Sequence, residues 1–95
     1  MIAEERKVFE ALIEDKGRDH QQVVAIGELA ELSSEIAKML RGNGSEWKLI
    51  DEIADVGIVL DQLRLMYDPD GSKEALYREF KICRAQLRNL EGGQP

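Results

Sequence analysis

The chain has 95 residues, with 13 Lys and Arg against 19 Asp and Glu for a formal charge of −6, one Cys, one His and two Pro. That length supports one domain with one modest core, and a lone thiol excludes an internal disulfide framework. The acidic balance excludes a general binder of nucleic-acid polymers, whose affinity comes from a surplus of Lys and Arg on phosphates.

The first segment, MIAEERKVFEALIEDK, has no continuous apolar run. Neither a signal peptide nor a membrane span is therefore expected, and the expected location is cytoplasmic. Breaks at Gly17, at GNG 42–44 and at DPDG 68–71 divide the chain into four segments that each read as helix. The first, about Ile2 to Lys16, carries Val8, Phe9, Leu12 and Ile13 on one side. The second runs from about Arg18 to Arg41 and stops at the GNG turn. Ser45 suits the N-cap of the third, which ends near Asp68 before Pro69. After Ser72 the fourth places Leu76, Phe80, Cys83, Leu87 and Leu90 at alternating spacings of four and three, a narrow seam that packs along another helix. Cys83 lies in that apolar seam, which argues against a nucleophile. No segment alternates with period two. The expected fold is an all-α bundle, a single helical domain over 1–91 with a frayed tail at 92–95.

The second helix raises the functional question. At about 100° per residue, with Glu28 at zero, Glu35 falls near 340° and Glu31 near 300°, among Val24, Met39 and Leu32. His20, Gly27, Ser34 and Lys38 mark the polar side instead. On the third helix Glu52 and Asp55 sit inside a stripe of Val56, Val59, Leu63 and Met66. A second apolar line on that helix, Trp47, Ala54, Ile58 and Leu65, predicts cover on two sides, as in a central or interface helix.

Burying an unpaired carboxylate costs several kcal/mol, and clustered ones also repel. Lys38, on the far side, and Lys48, near a helix start, are poor neutralising partners by position. Glu28 with Glu31, and Glu52 with Asp55, are each i, i+3 pairs on adjacent turns. Antiparallel packing across RGNGSEW would bring the pairs together. Four carboxylates without Cys or His form a hard oxygen site suited to Mg²⁺ or Mn²⁺ and not to Zn²⁺. Surface charge on long helices is the competing reading of the same acids. A di-iron carboxylate bundle is disfavoured, because it uses Glu-x-x-His and His20 is not placed three after a glutamate.

HQQVVAIGELAEL followed by DEIADVGIVLDQLRLMY resembles the short, single-domain, phage-type members of the MazG-like all-α nucleoside triphosphate pyrophosphohydrolases, whose signature is E-E-x-x-E, a spacer, then E-x-x-D. The resemblance implies Mg²⁺ held by Glu28, Glu31, Glu52 and Asp55. It also implies cleavage of a (d)NTP between the α and β phosphorus atoms, in a homo-oligomer, either dimer or tetramer. The first acid of the signature is Gly27 here, at about 260° on the polar side, so its loss need not remove a ligand.

The chemistry fits the residues, since metal ions neutralise charge on a leaving pyrophosphate and acidify an attacking water. Glu31 or Glu28 is the expected base. For phosphate binding the candidates are Lys81, Arg84 and Arg88 on one face of the fourth helix and Lys38, Arg41 and Lys48 near the connecting turn. Gln21, seven residues before Glu28, is placed to read a base edge or cap the site, and Trp47 to stack on a base or line an interface. The alternative function class is a non-catalytic helical oligomerisation or nucleotide-sensing module with a vestigial acidic site.

Overall fold

A computed structural model describes residues 1–92, and among them there are four helices and no strand. They are α1 Ala3–Lys16, α2 Arg18–Leu40, α3 Glu46–Tyr67 and α4 Ser72–Leu90. Of the tail expected to fray, Gly92 donates its N–H to the Asn89 carbonyl at 3.1 Å; residues 93–95 lie outside the described residues.

The helix ends follow local chemistry. α2 stops in a Schellman arrangement: Gly42, at φ 81, donates to Met39 O, and Asn43 donates to Lys38 O, both at 3.1 Å. Gly44 is required by close approach. A Cβ there would lie 2.7 Å from Met39 N and 2.8 Å from Met39 Cα, so the chain doubles back tightly against α2.

The expected Ser45 cap is corrected. Ser45 occupies the N-cap of α3 in extended conformation, but its hydroxyl makes no capping hydrogen bond, and it serves the helix through its carbonyl, which accepts from Leu49 N at 3.1 Å. α4 is capped instead from outside its own sequence. The Asp68 carboxylate accepts from Lys73 N at 3.3 Å and Glu74 N at 2.8 Å, placing negative charge on the positive end of the helix.

Cross-helix contacts show that α2 and α3 run antiparallel. Arg18, at the start of α2, reaches the Met66 carbonyl near the end of α3 at 3.3 Å. The Tyr67 hydroxyl donates to Gln22 Oε1 at 2.6 Å. α1 packs on both of these helices, with Phe9 buried, Leu12 and Ile13 half-buried and Val8 left outside the expected face.

The buried apolar residues among those described are Phe9, Ala25, Val56 and Val59. Four such residues are too few to consume the apolar content of the chain, and much of it faces outward. Leu29, Ile36, Met39 and Leu40 on α2 are exposed, as are Trp47, Ile50, Ile53 and Ile58 on α3. Two-sided cover of α3 is thus absent among the described residues of one chain. The seam of α4 is corrected likewise: among the described residues α4 packs on no other helix, and Leu76, Phe80, Cys83, Leu87 and Leu90 are all exposed. No helix among the described residues is long and apolar enough to cross a membrane.

Candidate metal centre

The antiparallel register carries the two i, i+3 pairs to the same level of the α2–α3 hairpin. Glu28, Glu31 and Glu52 each offer a carboxylate oxygen, all within 4.8 Å of one another. Asp51, Glu52 and Asp55 form a second trio by the same measure. Glu52 belongs to both, so the four acids singled out in the sequence form one cluster, with Asp51 added at its edge. Glu28, Glu52 and Asp55 are half-buried, whereas Glu31 and Asp51 are exposed.

One carboxylate oxygen on each of Glu28, Glu52 and Glu35 is buried without a hydrogen-bond partner. Among the described residues, none of the ion pairs involves Glu28, Glu31, Glu52 or Asp55. The electrostatic consequence falls on the protonation state. Burial, followed by the charges of Glu31 and Asp55, pushes the Glu52 carboxyl up to about 7. Burial, with Asp55 next in importance, also raises Glu28. Partial removal from water and the repulsion of neighbouring acids make Glu52 and Glu28 hold their protons more tightly. A small divalent cation fits this donor set: all oxygens, unpartnered lone pairs and mutual repulsion that a charge of +2 would reverse.

The other predicted residues are more dispersed. Lys38, read as being on the wrong side, does reach the apolar edge, because its flexible stem carries Nζ to 3.2 Å from Glu35 Oε1. Glu35 is thereby partnered on one oxygen and stands outside both acidic trios. Lys48 lies over the Trp47 ring at 5.7 Å, and Trp47 is exposed. Gln21 is buried, donates to Gln62 Oε1 at 2.6 Å and has His20 Nδ1 at 2.9 Å from its own Oε1. Its amide is therefore engaged inside the chain, two helical turns from Glu28, and is not turned toward a base edge. Lys81 and Arg84 stand on α4, which packs on neither α2 nor α3, so one chain alone does not bring them onto the acidic face. Lys81 lines a groove of about 670 Å³ between the end of α3 and α4, with Tyr67, Lys73, Tyr77 and Arg78. None of the clustered acids lines that groove.

Sequence reasoning missed Asp51, although D-E-x-x-D is visible as written and Asp51 falls next to Asp55 on the helical wheel. It also missed Gln62, which lies seven residues after Asp55 as Gln21 lies seven before Glu28. That mirror spacing was the available signal for a cross-helix pair. No family model matches the chain, and neither a curated protein nor a solved structure matches it.

Proposed function

We propose that this chain is a Mg²⁺-dependent nucleoside triphosphate pyrophosphohydrolase of the MazG-like kind, working as a homo-oligomer, dimer or tetramer, with Mn²⁺ as an alternative ion. It would hydrolyse a (d)NTP to the monophosphate and pyrophosphate. The observation that carries the reading is the meeting of two i, i+3 carboxylate pairs across α2 and α3, with buried oxygens that no cation among the described residues partners.

When bound, the divalent ion supplies charge neutralisation on the phosphates and acidifies the attacking water. Glu28, Glu31 and Glu52, whose oxygens meet across the two helices, would hold it, with Asp55 joining from beside Glu52. Glu31, exposed at the rim of the cluster, is the better placed of the two candidate bases to take a proton from water on the substrate side. Glu28 keeps one oxygen buried and is better suited to holding the ion. Gly27 is exposed, and a Cβ there would meet nothing within 4 Å. The missing first acid of the motif would stand beside Glu31 at the exposed edge of the cluster, as Asp51 stands beside Asp55.

Pyrophosphate release from a panel of canonical and modified (d)NTPs, with and without Mg²⁺ and beside Glu52→Gln, tests the reading. Mg²⁺-dependent release that Glu52→Gln abolishes is the expected result. No release from any nucleotide by a folded protein, with no metal-dependent change in melting, would overturn it in favour of an oligomerisation module. Nucleotide-dependent stabilisation without turnover would favour a sensor.

A further inference from the structure

α4 carries charge opposite to the rest of the molecule. Between Ser72 and Leu90 the chain has five basic and two acidic residues, a net +3, which leaves −9 on the remainder of a chain of −6. The helix is nevertheless held off that acidic body. Arg64 grips Glu74 with two hydrogen bonds, Nε to Oε1 at 2.7 Å and Nη2 to Oε2 at 3.1 Å, and Asp68 caps the first turn. Beyond this anchored start, α4 projects with its seam more than half exposed and no helix of its own chain against it.

The layout of charge around the two unpartnered stripes specifies what covers them. On α4, with Leu76 at zero, the seam occupies about 320° to 40°, and Lys73, Arg84, Arg88 and Lys81 follow at about 60° to 140°. On α3, with Glu52 at zero, the outward line of Trp47, Ala54 and Ile58 lies at about 200° to 240°, followed by Asp51 and Asp55 at about 260° and 300°. Each helix therefore has an apolar stripe with charge along its higher-angle flank, and the signs are opposite. When two right-handed helices meet face to face, these flanks fall on the same side of the contact only if the helices are antiparallel. In a parallel pair they fall on opposite sides.

We propose that α4 docks antiparallel on α3 of a second copy, its seam on the Trp47–Ala54–Ile58 line and its basic flank, Lys81 and Arg84, beside Asp51 and Asp55. The exchange is reciprocal about a two-fold axis. One partner covers both unpartnered stripes and pairs their charges. The seam is narrow, as for a helix partner, and a membrane surface under α4 would leave the α3 line bare. The docking carries the basic residues of one chain to the acidic cluster of the other, where a triphosphate needs them. This inference rests on the homo-oligomer part of the proposed function and not on its chemistry.

Cross-linking of the full chain tests the contact without nucleotide or metal. In Ala54→Cys the native Cys83 and the new thiol sit near the middle of the two stripes. A short bismaleimide should give a covalent dimer joined 54 to 83, absent when Cys83→Ser is added. Lys81→Glu with Arg84→Glu should weaken association about tenfold at low salt, with recovery on adding Asp51→Lys. Linkage of 83 to 83 or 54 to 54 alone in an intact dimer would overturn this pairing while leaving the oligomer standing. A monomer at all concentrations, or a monomer that binds anionic vesicles through α4, would overturn both. Absence of hydrolysis in a dimer linked 54 to 83 would remove only the chemistry.

Discussion

Gln21 Nε2 donates to Gln62 Oε1 at 2.6 Å, and both side chains are buried, at 7% and 3% exposure. A hydrogen-bonded amide pair at this depth sets the register of α2 on α3. Sliding α2 by one residue would leave both amides unpaired in the core. The same register brings Glu28 and Glu31 level with Glu52 and Asp55, two turns away. Gln62→Leu should cost about 1–3 kcal/mol, because the Gln21 amide is left buried without its partner. Gln21→Leu combined with Gln62→Leu should recover most of that loss. Urea denaturation of the two variants against the wild type measures the difference.

Gly44 is the second constraint on that register. A methyl group there would press on the Met39 backbone, which cannot swing aside as a side chain could. Gly44→Ala should lower stability by about 1–3 kcal/mol. It should also weaken Mg²⁺-dependent stabilisation, since the α2–α3 turn must open to admit it. Thermal melts with and without Mg²⁺ separate the two effects.

The acidic cluster predicts an unusual pH dependence for the metal-free protein. Glu52 is raised from 4.5 to about 7 by burial and its acidic neighbours, so the folded chain holds a proton that the unfolded chain has released. This contribution is fully present below the unfolded value of 4.5 and is lost as pH rises through about 7. Glu28 is raised in the same direction. At the acid end, the Arg64 hydrogen bonds that lower Glu74 are lost as its carboxylate is protonated. Metal-free protein should therefore melt higher at pH 5.5 than at pH 8, and Glu52→Gln should shrink the gap. Saturating Mg²⁺ at pH 8 should close it from the other side, adding about 2.7 kcal/mol at a hundredfold excess over Kd. Scanning calorimetry across this range gives the measurement.

Gly27 sits inside the unbroken α2 helix at an exposed position with open space around it. Gly27→Ala should stabilise the chain by about 0.5–1 kcal/mol through helix propensity alone. Gly27→Glu should restore the motif acid without changing Mg²⁺ affinity by more than about threefold, since the position lies at the exposed edge of the cluster. Melting curves and a metal titration check the pair of variants.

The helices and the acidic cluster were legible because both rest on local rules. Gly42 and Gly71 punctuate the chain, and a 3.6-residue period places Glu28, Glu31, Glu52 and Asp55 on facing sides once α2 and α3 are antiparallel. Coverage was not legible in the same way. Apolar periodicity shows that Leu76, Phe80 and Leu87 want a partner, but not whether that partner belongs to the same chain. Among the described residues of one chain it does not, because Arg64 and Asp68 tie only the start of α4 to the end of α3 and the rest of α4 packs on no helix. Position alone also misjudged Lys38, whose long side chain reaches Glu35 from the polar side, and Gln21, whose amide is spent on Gln62.

Calorimetric titration of Mn²⁺ or Mg²⁺ into the protein at pH 7, in two buffers of different ionisation enthalpy, tests the central claim most directly. Binding at the cluster requires Glu52 to ionise, so the account predicts saturable binding with proton release and affinity at least about tenfold weaker in Glu52→Gln and Glu28→Gln. Binding of equal strength in those variants, or without any proton released, would contradict it.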